Sequence, residues 1–285
     1  MKPVSFEYHA PGTVDEAVSL LGEFAERGGR VIAGGQSLVP MMAFRLARPS
    51  HLIDINRIAG LDRLLVEAGM LRIGATVRHA DIEAATNGGT LARLLREVAR
   101  PVAHPPIRNR GTFCGSLAHA DPSAEWCLVA ATLDASIVAR STRGPRTLPS
   151  SDFFLGVMTT SLAADELVME CRFRLLADDA RYGFYEVSRR AGDFAMAAAL
   201  VAYRLSEGRI TDARFGLGGV ETFPRRLSEV EAMLAGTKPG GESFRAAAEA
   251  AAADIHPMED SHTTGDFRRQ LVRAVTSRAL ERSLS

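Results

Sequence analysis

The sequence has few cysteines, and their spacing excludes several kinds of metal site. Only Cys114, Cys127 and Cys171 occur in 285 residues, and no two of them form a C-x-x-C pair. Three thiols cannot ligate an iron–sulfur cluster or a structural zinc ion by themselves, and an odd number cannot pair completely. We therefore expect reduced thiols, as in a cytosolic protein, and assign no metal ligand to this chain.

The chain also lacks an excess charge of either sign and lacks long apolar runs. It contains 34 Lys and Arg against 34 Asp and Glu, so it presents no electrostatic footprint for a nucleic acid. The first residues show no apolar h-region, and Glu249 interrupts even the alanine-rich run 246–253. We expect no signal peptide, no transmembrane segment and a cytoplasmic location.

Two common nucleotide-binding motifs are missing as well. The nearest approach to G-x-G-x-x-G begins at Gly216, but Glu221 occupies the position of the third glycine. The sequence G-x-x-x-x-G-K-[ST] does not occur. The hypotheses of a Rossmann site and of a P-loop therefore lack the motifs that are their main evidence.

Two glycine-bearing segments are the most informative features that are present. Residues 33–38 (AGGQSL) follow the apolar pair Val31-Ile32, and residues 108–125 (RNRGTFCGSLAHADPSAE) lie far along the chain. Each combines small residues, hydroxyls and backbone N–H groups, with which a protein can approach phosphate closely. Alone, the first could be an ordinary strand-to-helix turn and the second a surface loop. Together they suggest a long dinucleotide that is held at both ends.

The remaining sequence predicts a mixed α+β chain. Thr13 and Glu16 form a capping box at the start of a helix, and residues 64–74 have the pattern of a β-hairpin. We expect Thr76 to begin a helix over 78–85. Other predicted helices cover 38–46, 91–98, 124–133, 228–235, 242–253 and 266–284, and other strands cover 30–33, 51–55, 135–139, 166–175, 182–187, 197–205 and 209–217. Residues 176–180 (LADDA) are the best candidate for a boundary, which we expect between domains 1–176 and 177–285.

Five segments resemble the FAD-binding medium subunits of molybdenum hydroxylases, the family of aerobic carbon monoxide dehydrogenase and of the flavin domain of xanthine dehydrogenase. They are residues 31–42, 50–58, 73–76, 107–125 and 188–195. The resemblance covers essentially the whole chain. It implies a two-subdomain FAD-binding domain of the PCMH/VAO type, followed by a small α+β C-terminal domain with a short antiparallel sheet.

The resemblance also implies which residues contact FAD. The first segment would wrap the diphosphate and the second would hold it from the other side. Glu125 would accept a ribose or ribityl hydroxyl, whereas Asp121 could instead cap the helix that follows. Leu167 and Val168 match a strand near the adenine or flavin, and Phe194 either crosses the isoalloxazine or belongs to the core. The implied cofactor-binding residues are Ile32, Ala33, Gly34, Gly35, Gln36, Ser37, Leu38, Thr112, Cys114, Gly115, Ser116, Asp121, Glu125, Leu167, Val168 and Phe194.

Two departures from the family pattern bear on this site. Many relatives have glycine where this chain has Cys114, and a Cβ at a positive φ would cost of order 1 kcal/mol. We expect an inert buried thiol there rather than a redox-active one. Neither segment has a histidine where relatives attach flavin covalently, so we expect noncovalent FAD.

The function implied by the resemblance is electron transfer within a larger complex, with no catalytic residue on this chain. A large molybdopterin subunit would supply electrons to [2Fe–2S] clusters on a small iron–sulfur subunit. FAD would receive the electrons from these clusters and pass them to an external acceptor. The expected assembly is (αβγ)2, a heterohexamer. Two alternatives stay open: a self-sufficient FAD-dependent oxidase of the same fold group, and a non-enzymatic nucleotide-binding scaffold.

Overall fold

A computed structural model describes residues 2–260 and 263–285 as a mixed α/β chain with one parallel sheet and three antiparallel ones. The strands are β1 (Glu7–His9), β2 (Gly29–Ile32), β3 (His51–Asp54), β4 (Leu64–Glu67), β5 (Met70–Gly74), β6 (Ser136–Ser141), β7 (Gly144–Pro149), β8 (Phe154–Gly156), β9 (Thr159–Thr160), β10 (Leu167–Arg174), β11 (Arg181–Ser188), β12 (Ala195–Ser206), β13 (Arg209–Gly218) and β14 (Arg225–Arg226). The α-helices are α1 (Val14–Phe24), α2 (Leu38–Ala43), α3 (His79–Ala84), α4 (Gly89–Ala99), α5 (Pro105–Arg108), α6 (Phe113–His119), α7 (Glu125–Thr132), α8 (Ser228–Leu234), α9 (Gly241–Asp254) and α10 (Gly265–Arg282).

Three of the four sheets follow one another along the chain, and the fourth, β8 with β9, interrupts the second sheet between β7 and β10. The first has the order β1-β3-β2 and is parallel, and the second has the antiparallel order β4-β5-β10-β6-β7. Strands β11 to β14 form an antiparallel sheet near the C-terminus, and β8 pairs with β9. The α+β class and the small antiparallel C-terminal sheet are therefore confirmed.

Most predicted elements are present with shifted ends. The capping box is confirmed, because Thr13 Oγ1 accepts from the Glu16 N–H and Glu16 Oε2 accepts from the Thr13 N–H, each at 3.2 Å. Helix α2 ends at Ala43 rather than at 46. The prediction that Thr76 caps the next helix is wrong, since Arg78 holds the N-cap of α3 and the Asp81 carboxylate accepts its backbone N–H at 2.9 Å.

Helix α7 connects the two halves of the molecule. All eight of its residues are buried, which explains its nearly uniform apolar composition. Thr132 near its end packs so closely on β13 that a Cβ at Gly216 would overlap the Thr132 hydroxyl. The core around this helix extends from Leu71 to Ala202 and so crosses the predicted boundary at 176/177.

Among the helices of residues 2–260 and 263–285, none has both the length and the apolar character that crossing a membrane requires.

Candidate functional site

The first glycine segment lies at the carboxyl ends of the parallel strands. It leaves β2 at Ile32 and enters α2 at Leu38, and Gly35 adopts a φ of +72°. The Gly35 carbonyl accepts from the Val39 N–H at 2.9 Å, and the Gln36 side chain donates to the Gly34 carbonyl at 3.0 Å. The carboxyl edge of parallel strands is where open α/β sheets bind ligands.

Asn56 fixes this segment from the neighbouring strand. It follows β3, and its Nδ2 donates to the Ala33 carbonyl at 2.7 Å and to Asp54 Oδ1 at 2.6 Å. Tyr8 on β1 donates to the other oxygen of Asp54 at 2.6 Å. The conformation of the first segment thus depends on Asn56, which Asp54 of β3 holds in place, and Tyr8 of β1 in turn holds Asp54.

Much of the second segment is helical, which corrects the expectation that its backbone N–H groups are available to a phosphate. Thr112 is the N-cap of α6, and its hydroxyl accepts from the Gly115 N–H at 3.1 Å. The Thr112 carbonyl accepts from Ser116, and the Val77 carbonyl accepts from Phe113, each at 3.1 Å. The amides of Gly115 and Ser116, which we expected to face a ligand, are therefore occupied by the helix cap.

The two segments, far apart in sequence, are in direct contact. A Cβ on Gly34 would overlap the Arg110 carbonyl oxygen and lie 2.7 Å from the Gly111 Cα. Arg78 joins the same groups, because its guanidinium donates to the Arg110 carbonyl and, at 2.5 Å, to Asn56 Oδ1. Gly34 is thus required for contact between the segments, whereas sequence reasoning assigned it to contact with phosphate.

Two neighbouring cations border this junction. Burial lowers the pKa of Arg78, and the positive charge of Arg110 lowers it further. Such repulsion between like charges is relieved when an anion binds beside them. The carboxylates of Asp81 and Asp54 offset part of this repulsion, and an anion bound beside both guanidinium groups would offset more of it.

A buried histidine, His79, packs against the second segment at Gly111. Trp126 Nε1 donates to His79 Nδ1 at 2.9 Å, and a Cβ on Gly111 would lie 2.5 Å from His79 Nε2. Burial, with the charges of Arg78 and Arg108, lowers the pKa of His79 to about 4. The ring is therefore neutral near pH 7 and carries its proton on Nε2.

Cys114 does not have the backbone strain that a missing glycine could cause. It lies in α6 outside the positive-φ residues of the chain, and its Sγ contacts the Ile73 carbonyl at 3.4 Å in the core. Burial raises the pKa of this thiol far above its usual range. It is therefore a protonated, buried thiol.

The structure separates the roles of the two acidic residues in the second segment. Asp121 Oδ1 accepts from the Ser123 N–H at 2.9 Å in a local turn, and Ala124 is the N-cap of α7, so the prediction that Asp121 caps this helix is wrong. Glu125 opens α7 and is buried. Burial, reinforced by the charge of Glu186, raises the pKa of Glu125 to about 8.

The last three predicted residues lie in different environments. Leu167 and Val168 begin β10 with buried side chains, and Leu167 shares a core cluster with Ala33. Phe194 lies in the connection between β11 and β12 and is 65% exposed, so its interpretation as a core residue is wrong. Sequence reasoning also missed Asn56, Arg78 and His79. Of these, only Asn56 could have been found from the sequence, because it lies just after a strand that pairs with β2.

A cavity of about 1140 Å³ lies apart from the junction, between α4, α5, β11 and the C-terminus. None of the predicted cofactor-binding residues, all of which the structure describes, lines it. Glu186 does line it, and Glu186 Oε2 is buried without a hydrogen-bond partner within the described part of the chain. The cavity thus lies near Glu125 at the end of the second segment.

Comparisons with known proteins agree over the full length. The family described as "FAD binding domain in molybdopterin dehydrogenase" matches residues 4–173, and "CO dehydrogenase flavoprotein C-terminal domain" matches residues 182–283. The chain is 37% identical to the nicotine 6-hydroxylase medium subunit of Paenarthrobacter nicotinovorans, over 98% of each chain. It is 35% identical to the carbon monoxide dehydrogenase medium chain of Hydrogenophaga pseudoflava, over 98% of this chain and 97% of that one.

Solved structures show the same relationship. A chain of carbon monoxide dehydrogenase from Hydrogenophaga pseudoflava superimposes with a TM-score of 0.95 at 36% identity, over 100% of this chain and 99% of that one. A chain of quinoline 2-oxidoreductase from Pseudomonas putida 86 gives 0.93 at 35% identity, over 99% and 98%.

Proposed function

Because the chain belongs to the family of FAD-binding medium subunits of molybdenum hydroxylases, we propose that it transfers electrons through FAD held at the junction of its two glycine segments. The family establishes an FAD-binding oxidoreductase subunit. The route of the electrons, the contacts with FAD and the assembly are our proposals.

The observation that supports this site is the contact between Gly34 and the Arg110-Gly111 backbone. It brings two main-chain segments together without a side chain between them. The guanidinium groups of Arg78 and Arg110 lie close enough to depress the pKa of Arg78. A diphosphate carries two negative charges, so binding it beside this junction would offset the repulsion between them.

We propose that the cofactor lies along the predicted residues as follows. Ala33 to Ser37 contact the diphosphate, with Ile32 and Leu38 at the ends of the segment, and Thr112 to Ser116 approach it from the other side. Cys114 can contribute only its backbone, since its side chain lies in the core. Glu125 is uncharged near pH 7 and can both donate to and accept from a sugar hydroxyl.

Leu167 and Val168 would contribute backbone contacts, because their side chains are buried. Asp121 orders the turn before α7. We propose that Phe194, which is exposed, covers the flavin ring from the C-terminal domain. We place the boundary of that domain at 176/177. Bound FAD supplies the redox chemistry, and the protein supplies binding and orientation.

The proposed complex contains two further kinds of chain. Several relatives are named medium subunits or medium chains of dehydrogenases, which implies additional subunits in those proteins. We propose a small subunit with [2Fe–2S] clusters and a large molybdopterin subunit, arranged as (αβγ)2 in the cytoplasm. The FAD of this chain would pass electrons to an external acceptor.

The test begins with the visible spectrum of the purified full-length chain, followed by denaturation in acid. The proposal predicts a flavin spectrum and release of FAD into the supernatant, as expected for noncovalent binding. A colourless protein that binds ADP would instead indicate a nucleotide-binding scaffold. Turnover of substrates by the isolated chain, at rates matching the whole complex, would indicate a self-sufficient oxidase.

A further inference from the structure

Three potential metal ligands meet on the first sheet, away from the glycine segments. Glu7 and His9 lie two residues apart on β1, so both side chains leave the same face of the strand. In the parallel register, Glu7 is opposite His51 on β3. Sheet pairing therefore brings the His51 imidazole to the Glu7 carboxylate and the His9 imidazole, which lie 42 or more residues earlier in the chain.

The donor atoms have the separations of a coordination sphere. His9 Nε2 lies 3.1 Å from His51 Nδ1, and His51 Nδ1 lies 3.7 Å from Glu7 Oε2. All three ligand atoms lie within 4.8 Å of one another. Two donors that each bind a tetrahedral zinc ion at about 2.1 Å lie roughly 3.4 Å apart, so little movement is needed for all three to bind one ion.

Neighbouring groups hold the two imidazoles in place. The Phe24 ring stacks on His51 with ring centroids 3.9 Å apart and on His9 with centroids 5.0 Å apart. The His51 side chain is 13% exposed, whereas that of Glu7 is 74% exposed. The site is therefore rigid on its inner side and open to water on its outer side.

We propose that Glu7, His9 and His51 bind one divalent transition-metal ion, with Zn²⁺ as the preferred ion and water completing its coordination. Two imidazoles and one carboxylate are ligands typical of zinc, and one water molecule would give four-coordination. The bound ion would join edge strand β1 to the central strand β3. Its binding does not require FAD or the partner chains of the proposed function.

The test uses the full-length chain, freed of any affinity tag and treated with a chelator. Zn²⁺ is titrated in competition with a chromophoric chelator, and Co²⁺ is added separately to record its visible spectrum. We expect one ion per chain and a tetrahedral Co²⁺ spectrum. The substitutions Glu7→Gln, His9→Gln and His51→Gln should each weaken Zn²⁺ binding about tenfold or more.

Two controls distinguish this site from other histidines and from unfolding. His256→Gln alters an exposed histidine outside the cluster and should bind Zn²⁺ as the unaltered chain does. Glu7→Gln changes an exposed side chain, so its fold should be intact, and excess Zn²⁺ should raise the Tm of the unaltered chain more than that of this variant. Absence of stoichiometric binding, or cluster variants that all bind Zn²⁺ as tightly as the unaltered chain, would overturn the proposal.

Discussion

The indole N–H of Trp126 donates to Nδ1 of His79 at 2.9 Å inside the core. This bond leaves the single proton of the neutral ring on Nε2, the atom nearest to the position of a Gly111 side chain. A buried ring that cannot easily accept a second proton thus underlies one half of the proposed FAD site. Lowering the pH should therefore destabilise the fold around this ring.

The first prediction concerns stability at low pH. The pKa of His79 is about 4 in the folded chain against 6.5 in the unfolded chain, so the unfolded state binds the extra proton between these values. Its contribution to stability is complete above pH 6.5 and is lost as the pH falls towards 4. Urea unfolding should show a loss of about 3 kcal/mol from this group between pH 7 and pH 4. His79→Gln, which can still accept from Trp126, should lack this component; an identical pH dependence would contradict the assignment.

The second prediction has the opposite sign and concerns Glu125. Its pKa is about 8 in the folded chain and near 4.5 when unfolded, so the folded state retains a proton that the unfolded state releases. This contribution to stability is complete below pH 4.5 and is lost as the pH rises towards 8. Between pH 4.5 and pH 8, the free energy of unfolding of Glu125→Gln should therefore rise relative to that of the unaltered chain by up to about 4 kcal/mol, measured by urea unfolding.

The same residue tests its role towards FAD. Because a neutral carboxyl and an amide both donate and accept hydrogen bonds, Glu125→Gln should retain FAD at pH 7. Glu125→Leu, which removes both functions, should weaken FAD binding about tenfold, as expected for loss of one hydrogen bond. Strong loss of FAD in the Gln variant would show that the ligand requires a carboxylate.

The third prediction compares two glycines with nearly equal backbone angles. Gly35 and Gly69 have φ values of +72° and +74°, but only Gly35 lies in the first segment, where its Cβ would be 3.3 Å from Ile32 Cδ1. Alanine at either position should cost about 1 kcal/mol of stability, because a Cβ is disfavoured at positive φ. Only Gly35→Ala should also weaken FAD binding in a fluorescence titration. Equal FAD affinities in the two variants would place the ligand elsewhere.

Local signals predicted much of the fold but little of the contact that forms the site. The hairpin at 64–74 and the Thr13 capping box depend on neighbours in sequence, and both are present. Strand β1 was missed because it has three residues and forms its strand pairing with distant β3. That omission also concealed the cluster of Glu7, His9 and His51.

Within the site, glycines revealed the two segments but not their contact. The sequence could not show that Gly34 meets Arg110, since that contact depends on the packing of two distant elements. Nor could it show that Thr112 would occupy the amide of Gly115, because the start of α6 lies inside a segment without helical periodicity. Buried His79 carries no local signal, and only tertiary packing makes it a support for the site.

The fourth prediction addresses the contact between the segments. Gly34→Ala places a methyl group against the Arg110 carbonyl and the Gly111 Cα, so the two backbones must move apart. We expect a loss of about 1–3 kcal/mol in stability and a clear loss of FAD affinity. Gly156→Ala is the matched control, because a Cβ there meets nothing within 4 Å and the φ is not positive. A Gly34→Ala chain as stable and as yellow as this control would refute the contact.

The most direct test of the account is a crystal structure of the chain with FAD bound. We predict that the diphosphate lies at the junction, within hydrogen-bonding distance of the backbone of residues 33–37 and next to residues 112–116. A diphosphate that contacts neither segment, for example one bound in the cavity between α4, α5 and β11, would contradict the central claim.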